Sequence, residues 1–157
     1  MWRPSVVLVI LCAGSSIGRA TEPPVRPCAD SANTQEQIPC GQREVDKADN
    51  LLTKIYAVVI RGLESGAVDP MFSYFEDKKR ALEDSQRAWT KYRDSQCLAV
   101  GASYGAGTGK PIGIGYCLLD LTNERLMFVR SYGQELLFNS VLCRDQKNEC
   151  TLLRQEP

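Results

Sequence analysis

Residues 85–97 read Ser-Gln-Arg-Ala-Trp-Thr-Lys-Tyr-Arg-Asp-Ser-Gln-Cys, SQRAWTKYRDSQC. The stretch reads as a helix, yet Gln86 and Arg93 fall where a helix should be apolar. At 3.6 residues per turn, Arg93 returns to the azimuth of Phe75, with Leu82, Gln86 and Trp89 within about 40° of it. Arginine does not give up its charge. A guanidinium on that face needs a carboxylate or several carbonyls, or must snorkel with only its stem on the core.

The helices on either side carry the same signature. From Gln42, apolar residues recur at helical spacing: Val45, Ala48, Leu52, Ile55, Tyr56, Val59 and Leu63. Gly66 is a stop signal, and Asp69-Pro70 is a start signal for a second helix running to about Cys97 with Phe72, Phe75, Leu82 and Trp89 inward. GASYGAGTGKPIGIG, residues 101–115, reads as a glycine-rich loop. A third helix is expected from near Tyr116 to Gly133–Asn139, with Leu118, Leu121, Phe128, Val129 and Tyr132 on one face. Arg125 lies in the middle of that stripe. No strand pattern or internal repeat is visible, so the fold class is all-α, a small disulfide-stapled bundle of about three main helices.

Asp49, at the edge of the first stripe beside Tyr56, is placed to bridge toward Arg93 or Arg125. Asp94 and Glu124 point away from the stripes. The expected role of both arginines is a strut between helices, with a ligand site as the competing role.

The N-terminus is read as a secretory leader. A positive start at Met1-Trp2-Arg3, a short apolar run Val6–Ala13 and small residues at Gly18 and Ala20 predict cleavage after Ala20. The run is too short to span a membrane, and Leu11 before Cys12 argues against a lipid anchor. Removing residues 1–20 leaves 17 basic against 19 acidic residues, with no bulk attraction for nucleic acid or an anionic membrane. The expected parts are the leader 1–20, an extended proline-rich arm 21–41, the helical domain 42–140 and a tail 141–157. A short helical turn capped by Asp30 or Ser31 is allowed within the arm.

Six cysteines then remain: Cys28, Cys40, Cys97, Cys117, Cys143 and Cys150. An even number in an exported chain suggests three disulfides, for which sequence permits 15 pairings. Local closure favours 28–40, 97–117 and 143–150, which would also close the tail as a short turn. Zinc is disfavoured because the chain has no histidine and no close Cys-x-x-Cys pair.

The missing histidine also removes the usual general base and the Ser-His and Cys-His nucleophiles. Glu76, Asp77, Glu83 and Asp84 sit among Lys78, Lys79, Arg80 and Arg87, the pattern of a solvated face rather than a carboxylate pair for sugar hydrolysis. The glycine loop is no phosphate loop, since Tyr104 stands where the first glycine should be and Pro111 follows Lys110. No enzyme, cofactor or metal is expected. A loop held at both ends is where binding tends to reside, and Ser103, Tyr104, Thr108 and Lys110 are its reaching residues.

Gln86-x-x-Trp89-x-x-Tyr92-Arg93-Asp94-x-x-Cys97, a glycine-rich gap, then Cys117-x4-Thr122-x-x-Arg125 resembles the family of LprI-like lysozyme inhibitors. Upstream, Cys28, Thr34–Cys40 and Asp49-x-x-Leu52-x-x-x-Tyr56 resemble its first half. Thr53 departs from the family pattern, where Asn usually follows the Leu, and Cys143 with Cys150 looks like an addition. The resemblance covers about Cys28 to Val129. It implies a helical fold, bridges 28–40 and 97–117, and a periplasmic or secreted location. It also implies a protein partner, with lysozyme the first expectation. An envelope interaction or immunity-type protein is the alternative.

Overall fold

The computed structural model describes residues 26–65, 75–137, 143 and 147–154, and no strand occurs among them. Among the described residues these helices follow in order: α1 Thr34–Glu64, α2 Phe75–Ala102, α3 Lys110–Leu137 and α4 Lys147–Arg154. The expected leader, Gly66, Asp69-Pro70, Phe72 and the side chain of Phe75 lie outside the described residues.

α1 begins well before Gln42, which shortens the expected arm. Asn33 is the N-cap, its side chain accepting from the Glu36 N–H at 3.1 Å while its amide donates to Glu36 Oε1 at 3.3 Å. The cap is thus neither Asp30 nor Ser31. Pro39 lies inside α1. It withholds one backbone donor near the helix start without ending the helix. At the other end the Ser65 N–H returns to the Arg61 carbonyl at 2.9 Å. The stripe of Val45, Ala48, Leu52, Ile55, Val59 and Leu63 is buried as its spacing requires, with Val58 and Gly62 added and Tyr56 only half-buried.

α2 runs past Cys97 to Ala102, and α3 starts at Lys110 rather than near Tyr116. The expected fifteen-residue loop is therefore a seven-residue turn, 103–109. Proline at the second position of α3 fits a first turn that needs no N–H. In the turn, Gly105 has φ +56°, the left-handed region that favours glycine. The glycines of α3 also serve contact: a Cβ on Gly113 would collide with the Tyr104 ring, and one on Gly101 of α2 with Ile114.

α1 and α3 form the central pair. They run parallel, as Gln37 meets Tyr116, Asp49 meets Thr122, and Gly62 meets Leu137. α2 returns antiparallel to α3, pairing Cys97 with Cys117 and Gln86 with Arg125. One core joins Ile55, Val59, Leu82, Val129, Leu137 and Leu153. Phe128, expected inward, is 51% exposed.

The tail is more than a closed turn. Cys150 and Leu153 on α4 are 1% and 2% exposed and belong to that core. Gln134 donates its side-chain amide to the Leu153 carbonyl. The disulfides are Cys28–Cys40, Cys97–Cys117 and Cys143–Cys150.

Candidate functional site

Two features could carry function: a polar seam where α1, α2 and α3 meet, and the disulfide-footed turn between α2 and α3.

In the seam, Arg93 Nη1 donates to Asp49 Oδ1 at 2.7 Å and to Thr122 Oγ1 at 3.2 Å. The link spans all three long helices. Thr122 is fully buried, while the Arg93 and Asp49 side chains are 14% and 43% exposed. Asp94 stands on the exposed side, its side chain 54% open, yet its Oδ1 accepts from Arg93 Nε at 3.0 Å. Arg93 thus has two carboxylates and lies 4.9 Å from the Trp89 ring centroid. Thr53 directs its hydroxyl back to the Asp49 carbonyl at 2.8 Å, so the departure from the family pattern keeps a local hydrogen bond.

Arg125 is different. It is 8% exposed, and its Nε donates to Gln86 Oε1 at 2.9 Å and its Nη2 to Ser85 Oγ at 3.0 Å. Both partners are neutral. No carboxylate pairs with Arg125 among the described residues; the expected bridge from Asp49 goes to Arg93 instead. Arg125 lies over Phe128 at 5.0 Å and over Trp89 at 5.8 Å, cation–π geometry. Phe128 stacks on Tyr132 with centroids 6.1 Å apart. Burial pushes the Arg125 pKa down, with the neighbouring Tyr56 opposing that shift. Tyr56 is raised by burial and by Glu83, against Arg125 and other cations. Trp89 is the half-buried plate between the two arginines, and Tyr92 on the same helix is 54% exposed.

Sequence reasoning missed Arg130. It is 6% exposed on α3, and its Nε and Nη1 have no hydrogen-bond partner among the described residues. Its spacing from Leu126, Gly133 and Leu137 places it on the buried face of α3 and could have revealed it.

The turn uses two of its four expected reaching residues internally. Ser103 directs its hydroxyl to the Val100 carbonyl at 2.7 Å, and the Tyr104 ring folds back over Gly109 and Gly113. All four are nonetheless exposed, Tyr104 at 48%. Beside the turn, Arg26, Gln96, Val100, Tyr104 and Leu121 help line a mostly apolar groove of ≈ 580 Å³. Arg26 crosses the Tyr116 ring at 4.7 Å and faces Asp120 at 3.8 Å. No helix among the described residues is long and apolar enough to cross a membrane.

The described residues thus form a braced three-helix seam, held by disulfides and carrying a seven-residue turn. A family model described as Lysozyme inhibitor LprI matches residues 28–128, and the chain belongs to that family. An uncharacterized protein of Rhizobium meliloti (strain 1021) is 27% identical over 127 residues, covering 78% of this chain and 87% of that protein. No solved structure matches. Family membership implies an inhibitor-like binding function and a protein partner.

Proposed function

We propose that this protein is exported to the periplasm or beyond, after cleavage near Ala20, and there binds and inhibits a lysozyme without catalysing a reaction itself. The observation that carries the reading is the turn 103–109, footed by Cys97–Cys117 and leaving Thr108 and Lys110 exposed at the start of α3. Lysozyme works with a carboxylic acid of raised pKa and a second carboxylate in a cleft. An ammonium at Lys110 is suited to neutralise such a pair, and the disulfide limits the entropy lost on binding. Three disulfides fit an oxidising compartment.

The test is a titration of lysozymes of several classes with the purified mature protein, read by cell-wall lysis and by calorimetry. Inhibition that weakens in Lys110→Ala supports the reading. Absence of both inhibition and binding at micromolar protein rejects it. Capture of a different envelope protein would then favour the interaction or immunity-type alternative. N-terminal sequencing of the exported product checks the cleavage site.

A further inference from the structure

Arg125 poses a problem that the turn does not answer. Arg125 keeps 8% of its surface open to water, and its hydrogen-bond partners are the neutral Gln86 and Ser85. A buried cation without an anion is costly, and supplying one charge-assisted partner recovers much of that cost. The surroundings are wet and apolar at once. Phe128, which Arg125 overlies, is 51% exposed, and Tyr92 is 54% exposed. Tyr92 stands one helical turn beyond Trp89 on α2, and Phe128 one turn beyond Arg125 on α3. Each exposed ring thus stands one turn along its own helix from the Trp89–Arg125 pair. Exposed aromatic side chains around an arginine are the composition of interface hot spots.

We infer that this outward face of α2 and α3 is a protein-docking surface, on which Arg125 receives an acidic side chain of the partner between Tyr92 and Phe128. The inference rests on the reading of the chain as a lysozyme-binding inhibitor and adds a second contact to the turn. Lys110 and Arg125 are about 22 Å apart along α3, at 1.5 Å per residue. The groove lined by Val100, Gln96 and Leu121 lies on the same helix pair between them. One interface of about 800 Å² per partner is wide enough to cover both ends.

The experiment compares the wild-type protein, Phe128→Ala, Tyr92→Ala, Phe128→Glu and Lys110→Ala against a lysozyme that the wild type binds. Circular dichroism and thermal unfolding establish that each variant folds. Phe128→Ala and Tyr92→Ala should each weaken binding about tenfold or more, as hot-spot truncations do. Phe128→Glu should weaken it further, because a carboxylate one turn from Arg125 occupies the cation in cis, and should raise the thermal midpoint for the same reason. If all three bind within twofold of wild type while Lys110→Ala loses affinity, the turn reading stands and this face is a bystander. If the wild type binds no lysozyme, the functional reading falls and takes this inference with it.

Discussion

Arg93 keeps its charge in a place only 14% open to water, where its Nε donates to Asp94 and its Nη1 to Asp49 and Thr122. Arg93→Met leaves an Asp49 that is 43% exposed and free to hydrate. The loss should therefore fall below the 3–5 kcal/mol of a fully buried broken pair, at about 1–2 kcal/mol. A double-mutant cycle with Asp49→Asn in urea measures this; zero coupling would mean that the Asp49 carboxylate adds nothing to what Asp94, Thr122 and Trp89 give Arg93. Arg130 should behave in the opposite way. Its Nε and Nη1 are buried without partners among the described residues, so Arg130→Met should raise stability by about 1 kcal/mol or more. A lower thermal midpoint would show that the guanidinium finds an anion in solution. Tyr56 and Tyr132 provide the pH dependence. Burial raises both phenols above their ordinary range, helped by Glu83 at Tyr56 and by Glu135 at Tyr132. A group whose folded-state pKa is raised contributes stability that is complete below its unfolded value and is lost as pH rises through the folded one. The thermal midpoint should therefore stay level up to about pH 10 and fall above it. The double variant Tyr56→Phe, Tyr132→Phe should fall less steeply over the same range.

At the scale of elements, the turn and the first turns of α3 were the hardest to read. Gly109, Gly113 and Gly115 contribute no side chain to a periodic stripe, so Lys110–Gly115 looked like loop while it is helix. Pro39 misled too, counting toward an extended proline-rich arm while α1 passes through it. The stripe from Val45 to Leu63 was plain because each turn of that part of α1 carries an apolar residue inward. The inward azimuth of Arg93 and Arg125 was also plain. Which of them receives Asp49 depends on the offset between helices, and a single chain does not encode that offset in its periodicity. Two glycines of α3 test the account. Nothing lies within 4 Å of a Cβ on Gly115, so Gly115→Ala should gain about 0.5–1 kcal/mol from helix propensity. A Cβ on Gly113 collides with the Tyr104 ring. Gly113→Ala should lose that gain, expel Tyr104 from its seat and alter the groove beside it. Tyrosine fluorescence with chemical denaturation distinguishes the two.

For the whole molecule, the all-α class and a disulfide-stapled bundle followed from composition and period. The place of the last segment did not. A helix of eight residues is too short to declare itself by periodicity, and Leu152 and Leu153 looked like a tail until Leu153 was seen against Gly133. Replacing Cys143 and Cys150 by serine frees that helix. The cost should be about 2–3 kcal/mol, on the chain-entropy argument for so short a loop. Dye binding to newly exposed apolar surface before global unfolding would identify the step. The position of α4 has a practical corollary. The family match ends at residue 128, in the middle of α3. A recombinant fragment trimmed to that match would lack Val129, Leu137, Cys150 and Leu153, and would leave Val59 and Leu63 without their lid. The boundary of likeness is not the boundary of folding here, and such a fragment should be recovered as aggregate.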